Sequence, residues 1–167
     1  MANEFIIKNG FQSQGNSAVT GSLNLNGSDM STAWTAYTPV WTAQITNPVI
    51  NNGTITGAYK QIGKTVFVRV KINMGRFTTY GDGAWLISLP VTASNVDGIQ
   101  FPCSLLDNGN AWYQGTVNGT YAGDTTKTAI IAQSMGGVNS SEGVNFQHPF
   151  TWGGEDSLQF NGSYESI

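Results

Sequence analysis

Between Thr65 and Asn73 the chain alternates apolar and polar positions without a break. Val66, Val68, Val70 and Ile72 fall on one side of a period-2 element, and Phe67, Arg69 and Lys71 on the other. Alternation of this length in β-branched residues predicts a strand with one face in a core. A helix would scatter the same four apolar residues around its circumference. Gly63-Lys64 marks a tight turn before this strand, and residues 58–62 are its expected antiparallel partner. This hairpin is read as the centre of an all-β sandwich.

The rest of the chain from Trp34 onward follows the same grammar. Residues 37–42 read as an edge strand, because Pro39 cannot donate to a central ladder. Asn47-Pro48 and Asn51-Asn52-Gly53 mark turns, and residues 75–83 a loop containing Phe77 and Tyr80. Trp85, Ile87 and Leu89 alternate into a stop at Pro90. Further strands are expected near 99–105, 111–117, 128–134 and 157–164. Asp97-Gly98, Asn108-Gly109, Asn118-Gly119 and Asn161-Gly162 serve as turn dipeptides between or beside them. Many short strands separated by such turns specify a sandwich or barrel. Three segments share an apolar-polar-Gly-small-Tyr pattern, at Ile55, Val117 and Phe160. They read as strands needing a small residue beside an aromatic neighbour, since their spacing is irregular.

Residues 1–33 differ. After Phe5-Ile6-Ile7, residues 10–27 are mostly Gln, Ser, Gly, Asn and Thr, with thin apolar alternation at Val19, Leu23 and Leu25. So little apolar surface cannot offset the chain entropy of folding alone. The segment is therefore expected to be flexible or to order against another chain, with residues 28–33 as a linker or one helical turn. The domain boundary falls at 33/34.

Composition narrows the function classes. Charged residues are 10 % of the chain, against about 25 % in ordinary soluble domains, so Asn, Gln, Ser, Thr and Gly must build the polar surface. A net charge of −3 disfavours sequence-independent nucleic-acid binding. Five of the seven basic residues nonetheless lie between Lys60 and Arg76, a stripe read as a solvated or subunit-facing strand surface, with an anion site as the alternative. The single cysteine, Cys103, excludes an intrachain disulfide and reads as a free core thiol. Neither a signal peptide nor an apolar run long enough to span a bilayer is visible, so no membrane insertion is expected.

No catalytic constellation emerges. His148 is the only histidine and sits among aromatics and a proline, as a loop histidine would. The carboxylates Asp82, Asp97, Asp107, Asp124, Glu142, Glu155 and Asp156 are scattered, and none forms an evident glycosidase pair. Glu155-Asp156 reads as the turn before the last strand, with calcium ligation as the alternative. Of the five Asn-x-Ser/Thr triplets, four contain Asn-Gly, so turn chemistry explains them better than glycosylation. No phosphate loop, dinucleotide fingerprint or zinc spacing is present. No metal or cofactor is expected, and no enzymatic activity. Aromatics in or near loops do stand out: Phe77, Tyr80, Trp112, Tyr113, His148 nearby, and Trp152. Such rings stack on the apolar faces of sugars while neighbouring amides bond hydroxyls; the alternative is that they are core or subunit-interface residues.

Several segments carry a resemblance. Trp34-Thr35-Ala36-Tyr37-Thr38-Pro39-Val40-Trp41-Thr42, Asn52-Gly53-Thr54-Ile55-Thr56-Gly57-Ala58-Tyr59, Ile62-Gly63-Lys64-Thr65-Val66 and Ile87-Ser88-Leu89-Pro90-Val91 resemble a structural domain of tailed-phage fibres and related virion appendages. So does the ending, Pro149-Phe150-Thr151-Trp152 with Asp156, Leu158 and Gly162-Ser163-Tyr164-Glu165. Glu4-Phe5-Ile6-Ile7-Lys8-Asn9-Gly10 and Val19-Thr20-Gly21-Ser22-Leu23 are similar to phage-fibre N-termini.

The resemblance implies a jelly-roll-like antiparallel β-sandwich preceded by an extended N-terminal segment. It also implies a homotrimer located on the virion, anchored to other virion proteins by that segment, whose outer loops face host surface polysaccharide. Anchoring would fall to Phe5, Ile6, Ile7, Val19, Leu23 and Leu25, and ligand contact to Phe77, Tyr80, Trp112, Tyr113 and His148. The alternatives are a capsid decoration protein or head fibre and, third, a small polysaccharide hydrolase or lyase using Glu155 or Asp156.

Overall fold

The structure is a computed structural model that describes residues 14–16, 18, 20–25, 28–30, 33–94, 99–119, 126–133 and 143–167. Among these there is no helix. A small hairpin pairs β1 (Asn24–Leu25) with β2 (Ser28–Asp29). Residues 28 and 29 are thus strand, where a linker or helical turn was expected, because they pair antiparallel with Leu25 and Asn24.

Nine further strands form one antiparallel ladder. They are β3 (Thr35–Tyr37), β4 (Trp41–Ala43), β5 (Thr54–Ile62), β6 (Thr65–Asn73), β7 (Trp85–Ser88), β8 (Gln100–Asp107), β9 (Ala111–Gly119), β10 (Lys127–Gln133) and β11 (Ser157–Glu165). Their spatial order is β3-β5-β6-β11-β8-β9-β10-β7-β4. The predicted central hairpin is β5–β6: Ile62 pairs with Thr65 across Gly63-Lys64, and Gly63 takes the left-handed φ of 59° that the turn needs.

Residues 37–42 are not one edge strand but two. Pro39 interrupts them, and β3 and β4 occupy opposite ends of the ladder. Only Thr38, Pro39 and Val40 separate them. An extended chain advances at most ~3.6 Å per residue, so the Cα atoms of Tyr37 and Trp41 lie within about 14 Å. The ladder must therefore curl until its two edges almost meet. Val40 and Ser88 fasten the junction: the Val40 N–H donates to Ser88 Oγ, and the Ser88 N–H to the Val40 carbonyl.

The curled ladder is a sandwich-like all-β fold with one shared core. β6 contributes Val66, Val68, Val70 and Ile72, all buried as the alternation predicts. Across from them lie Trp41, Trp85 and Ile87, with Phe101, Leu105, Val117, Leu158 and Phe160 completing the cluster. Cys103 is buried and free. Two of the predicted turn dipeptides turn out to be strand. Asn161-Gly162 lies inside β11, paired with Arg69 and Val68, and Asn118-Gly119 ends β9 against β10. Asn108-Gly109 is a turn, with Gly109 at φ 83°; Asp97-Gly98 lies outside the described residues.

Strand directions give the sandwich two unlike ends. At one end lie the connections 44–53, 74–84, 108–110 and 143–156. The Gly63-Lys64 turn and the C-terminal residues mark the other: the Ser166 N–H donates to the Lys64 carbonyl. The chain enters the sandwich at this second end, where Lys60 Nζ donates to the Met30 carbonyl.

Candidate functional site

The loop end rests on a run of aromatic side chains. Trp41 meets Trp85 edge-on at 4.7 Å between centroids, Trp85 meets Trp152 at 4.8 Å, Trp152 meets Phe150 at 4.4 Å, and Phe150 meets Tyr113 at 5.0 Å. A buried indole usually places its N–H; of the three buried here, Trp41 Nε1 has no partner among the described residues, while the other two hold loops. Trp85 Nε1 donates to the Tyr80 carbonyl, and Trp152 Nε1 to the Asn145 carbonyl. The loops 74–84 and 143–148 are thereby pinned from beneath.

Side-chain amides and carboxylates knit the same loops together. Asn51 Nδ2 donates to the Phe77 carbonyl, and the Phe77 N–H donates to Asn52 Oδ1. Thr78 Oγ1 accepts from the Gly75 N–H and donates to the Ile50 carbonyl. Asp156, only 4 % exposed, accepts the Asn108 N–H on Oδ1 and the Gly153 N–H on Oδ2. Glu155, at a left-handed φ of 75°, accepts from Asn108 Nδ2. The turn 153–156 thus lies between the Phe77 loop, whose Arg76 backbone abuts Gly154, and the β8–β9 hairpin. Among the described residues no three His, Cys, Asp or Glu side chains could hold a metal ion together. Both Asp156 oxygens accept backbone N–H groups, so this carboxylate clamps turns.

The five aromatic candidates all fall on this end, but only two present open rings. Phe77 is 68 % exposed and Trp112 is 62 % exposed. Tyr80 is half-buried and stacked along Trp85, and burial followed by the charge of Asp156 raises its hydroxyl above the ordinary phenol value. Tyr113 packs inward on Phe150. His148 is half-buried, and its backbone exchanges hydrogen bonds with that of Asn145. Trp152 is buried and belongs to the aromatic floor. Of the expected anchoring residues, Phe5, Ile6, Ile7 and Val19 lie outside the described residues; Leu25 is in β1, and Leu23 is exposed.

A second concave surface escaped the sequence reading. On the outer face of β5, β6 and β11 a cleft of about 780 Å³ is lined by Trp34, Ala58, Phe67, Arg69, Lys71 and Gln159, with Asn161 beside them. Register builds it: Ala36 faces Ala58, Ala58 faces Arg69, and Arg69 faces Asn161, so small side chains lie in a row beside the guanidinium. Trp34 covers Arg69, the guanidinium carbon 4.8 Å from the ring centroid. The signal in the sequence was the Phe67-Arg69-Lys71 stripe. What it lacked was the β3–β5 pairing that brings Trp34 over it.

Family models, curated proteins and solved structures were all compared with the chain, and none matches it.

Proposed function

We propose that this protein is a structural virion component of a tailed phage, a trimeric tail-fibre or receptor-binding protein that attaches to host surface glycans without cleaving them. The observation that carries the reading is the polarity of the sandwich. The chain enters at the end of the Gly63-Lys64 turn, while the pinned loops with Phe77 and Trp112 crown the other. A module mounted through its leading segment then turns those loops outward. Exposed rings among Asn51, Asn52 and Asn108 suit sugar contact, where a ring covers the apolar face of a pyranose and amides meet its hydroxyls. Weak binding at each site gains from multiplicity, through several chains per fibre and several fibres per particle.

Immunogold electron microscopy of intact particles, with antibody raised against residues 34–167, tests this. Gold at the tail is the expected result. Gold spread over the capsid would replace the reading with a decoration protein or head fibre, and no gold on particles would end it.

A further inference from the structure

The outer-face cleft combines features that a merely solvated strand surface does not need. Trp34 is 42 % exposed and Phe67 39 % exposed, so two rings border one concavity. Arg69 lies against the face of Trp34. A cation over the ring face is attracted by the ring's quadrupole, which holds the guanidinium at this side of the cleft. Lys71 follows two residues later on the same face of β6. Among the described residues, no hydrogen bond or ion pair uses the Arg69 guanidinium or the Lys71 ammonium. Two exposed cations two residues apart on one face of β6 leave a place for an anion beside Trp34.

The neutral part of the lining is equally selective. Gln159 and Asn161 present amides beside the cations, and Ala58 leaves the floor shallow enough for a flat ring. The volume falls within the roughly 300–1,000 Å³ common for small-ligand sites. We propose that this cleft binds a carboxylated saccharide, a uronic or sialic acid unit of a polymer. The carboxylate takes the Arg69 fork and the Lys71 ammonium, the sugar ring lies against Trp34 and Phe67, and the Gln159 and Asn161 amides meet its hydroxyls. A bidentate guanidinium–carboxylate pair supplies orientation as well as attraction. The inference rests on the sheet face alone and holds wherever on a particle the protein is mounted.

Calorimetric titration of the full chain tests it, with tetragalacturonate, a sialyl-lactose and a tetraglucuronate as probes and the galacturonate methyl ester as the neutral control. At least one acid is expected to bind, at least tenfold more tightly than the neutral ester for the galacturonate, with affinity falling as salt rises. Arg69→Gln and Trp34→Ala, both surface changes whose folding is checked by melting, should each weaken binding at least tenfold. Ile45→Ala, an exposed change outside the cleft, should leave it unchanged, and Phe77→Ala and Trp112→Ala at the loop end separate any second saccharide site from this one. Equal binding of acid and ester, loss of binding in the loop-end variants but not in Arg69→Gln, or no binding of any acid would overturn the proposal. So would an oligomer in which a second copy of the chain covers Arg69. Failure here leaves the loop-end reading standing, and the loop-end variants report on that reading separately.

Discussion

Gly162 lies beneath the Phe101 ring, and a Cβ there would sit inside the ring's van der Waals envelope. Gly57 is in the same position under Tyr37. The recurring pattern with a central glycine beside an aromatic neighbour is therefore a packing device at these two sites. Asn161-Gly162 looked like a turn because the dipeptide is the same whether glycine serves φ or space. Residue-scale burial also sets a pH limit. The Cys103 thiol is pushed by burial from 9.0 up to about 12, and burial likewise lifts Tyr164 from 10.0 to about 12, partly offset by its hydrogen bond with Val91. Tyr37 moves in the same direction. Above pH 9 the unfolded chain releases the Cys103 proton while the folded chain keeps it, so stability falls as pH rises. The loss is about 1.4 kcal/mol per pH unit for each such group, from pH 9 for the thiol and from pH 10 for the phenols. Urea unfolding between pH 8 and 11 should show this decline. In Cys103→Ala it should begin about one pH unit later; an unchanged onset would show that the thiol does not titrate as a buried group.

Asp156 shows how single elements become a platform. Its carboxylate joins the start of β11, the β8–β9 hairpin and the Gly153 turn, and the Met74 N–H donates to its carbonyl. Asp156→Asn presents an NH₂ group to one of two N–H donors and should cost about 1–3 kcal/mol in thermal or urea unfolding, the range for a buried group left without its partner. Hydrogen exchange should rise first at Asn108 and Gly153; uniform exchange across the sandwich would contradict a local clamp. What was legible beforehand follows from the same distinction. The β6 alternation and the β5–β6 turn are properties of contiguous residues, so the sequence carried them in full. The β8, β9 and β11 strands were placed to within two residues for that reason. The split of residues 37–42 depends on two partners, β5 and β7, far away in the chain. Trp34 reaches Arg69 by the same long-range pairing, which no local pattern encodes. At the loop end the rings were found, but their exposure was not, because Tyr80 and Tyr113 turn inward toward Trp85 and Phe150.

At the scale of the whole molecule, the sandwich has a chain-entry end and a loop end, and the proposed reading predicts trimerisation through the leading segment. Light scattering of the full chain at micromolar concentration should give three times the chain mass; a one-chain mass would sink the trimeric reading. The final consequence comes from the junction at Thr38-Pro39-Val40. Exposed sheet edges are where one folded protein recruits another into a growing ribbon. Here the first and last strands of the ladder are three residues each, and the chain that joins them carries a proline. Among the described residues, neither end strand by itself offers a long row of unused donors and acceptors. Edge-to-edge growth of one copy onto another has little to start from at these two strands, so crowding copies together need not fuse their sheets.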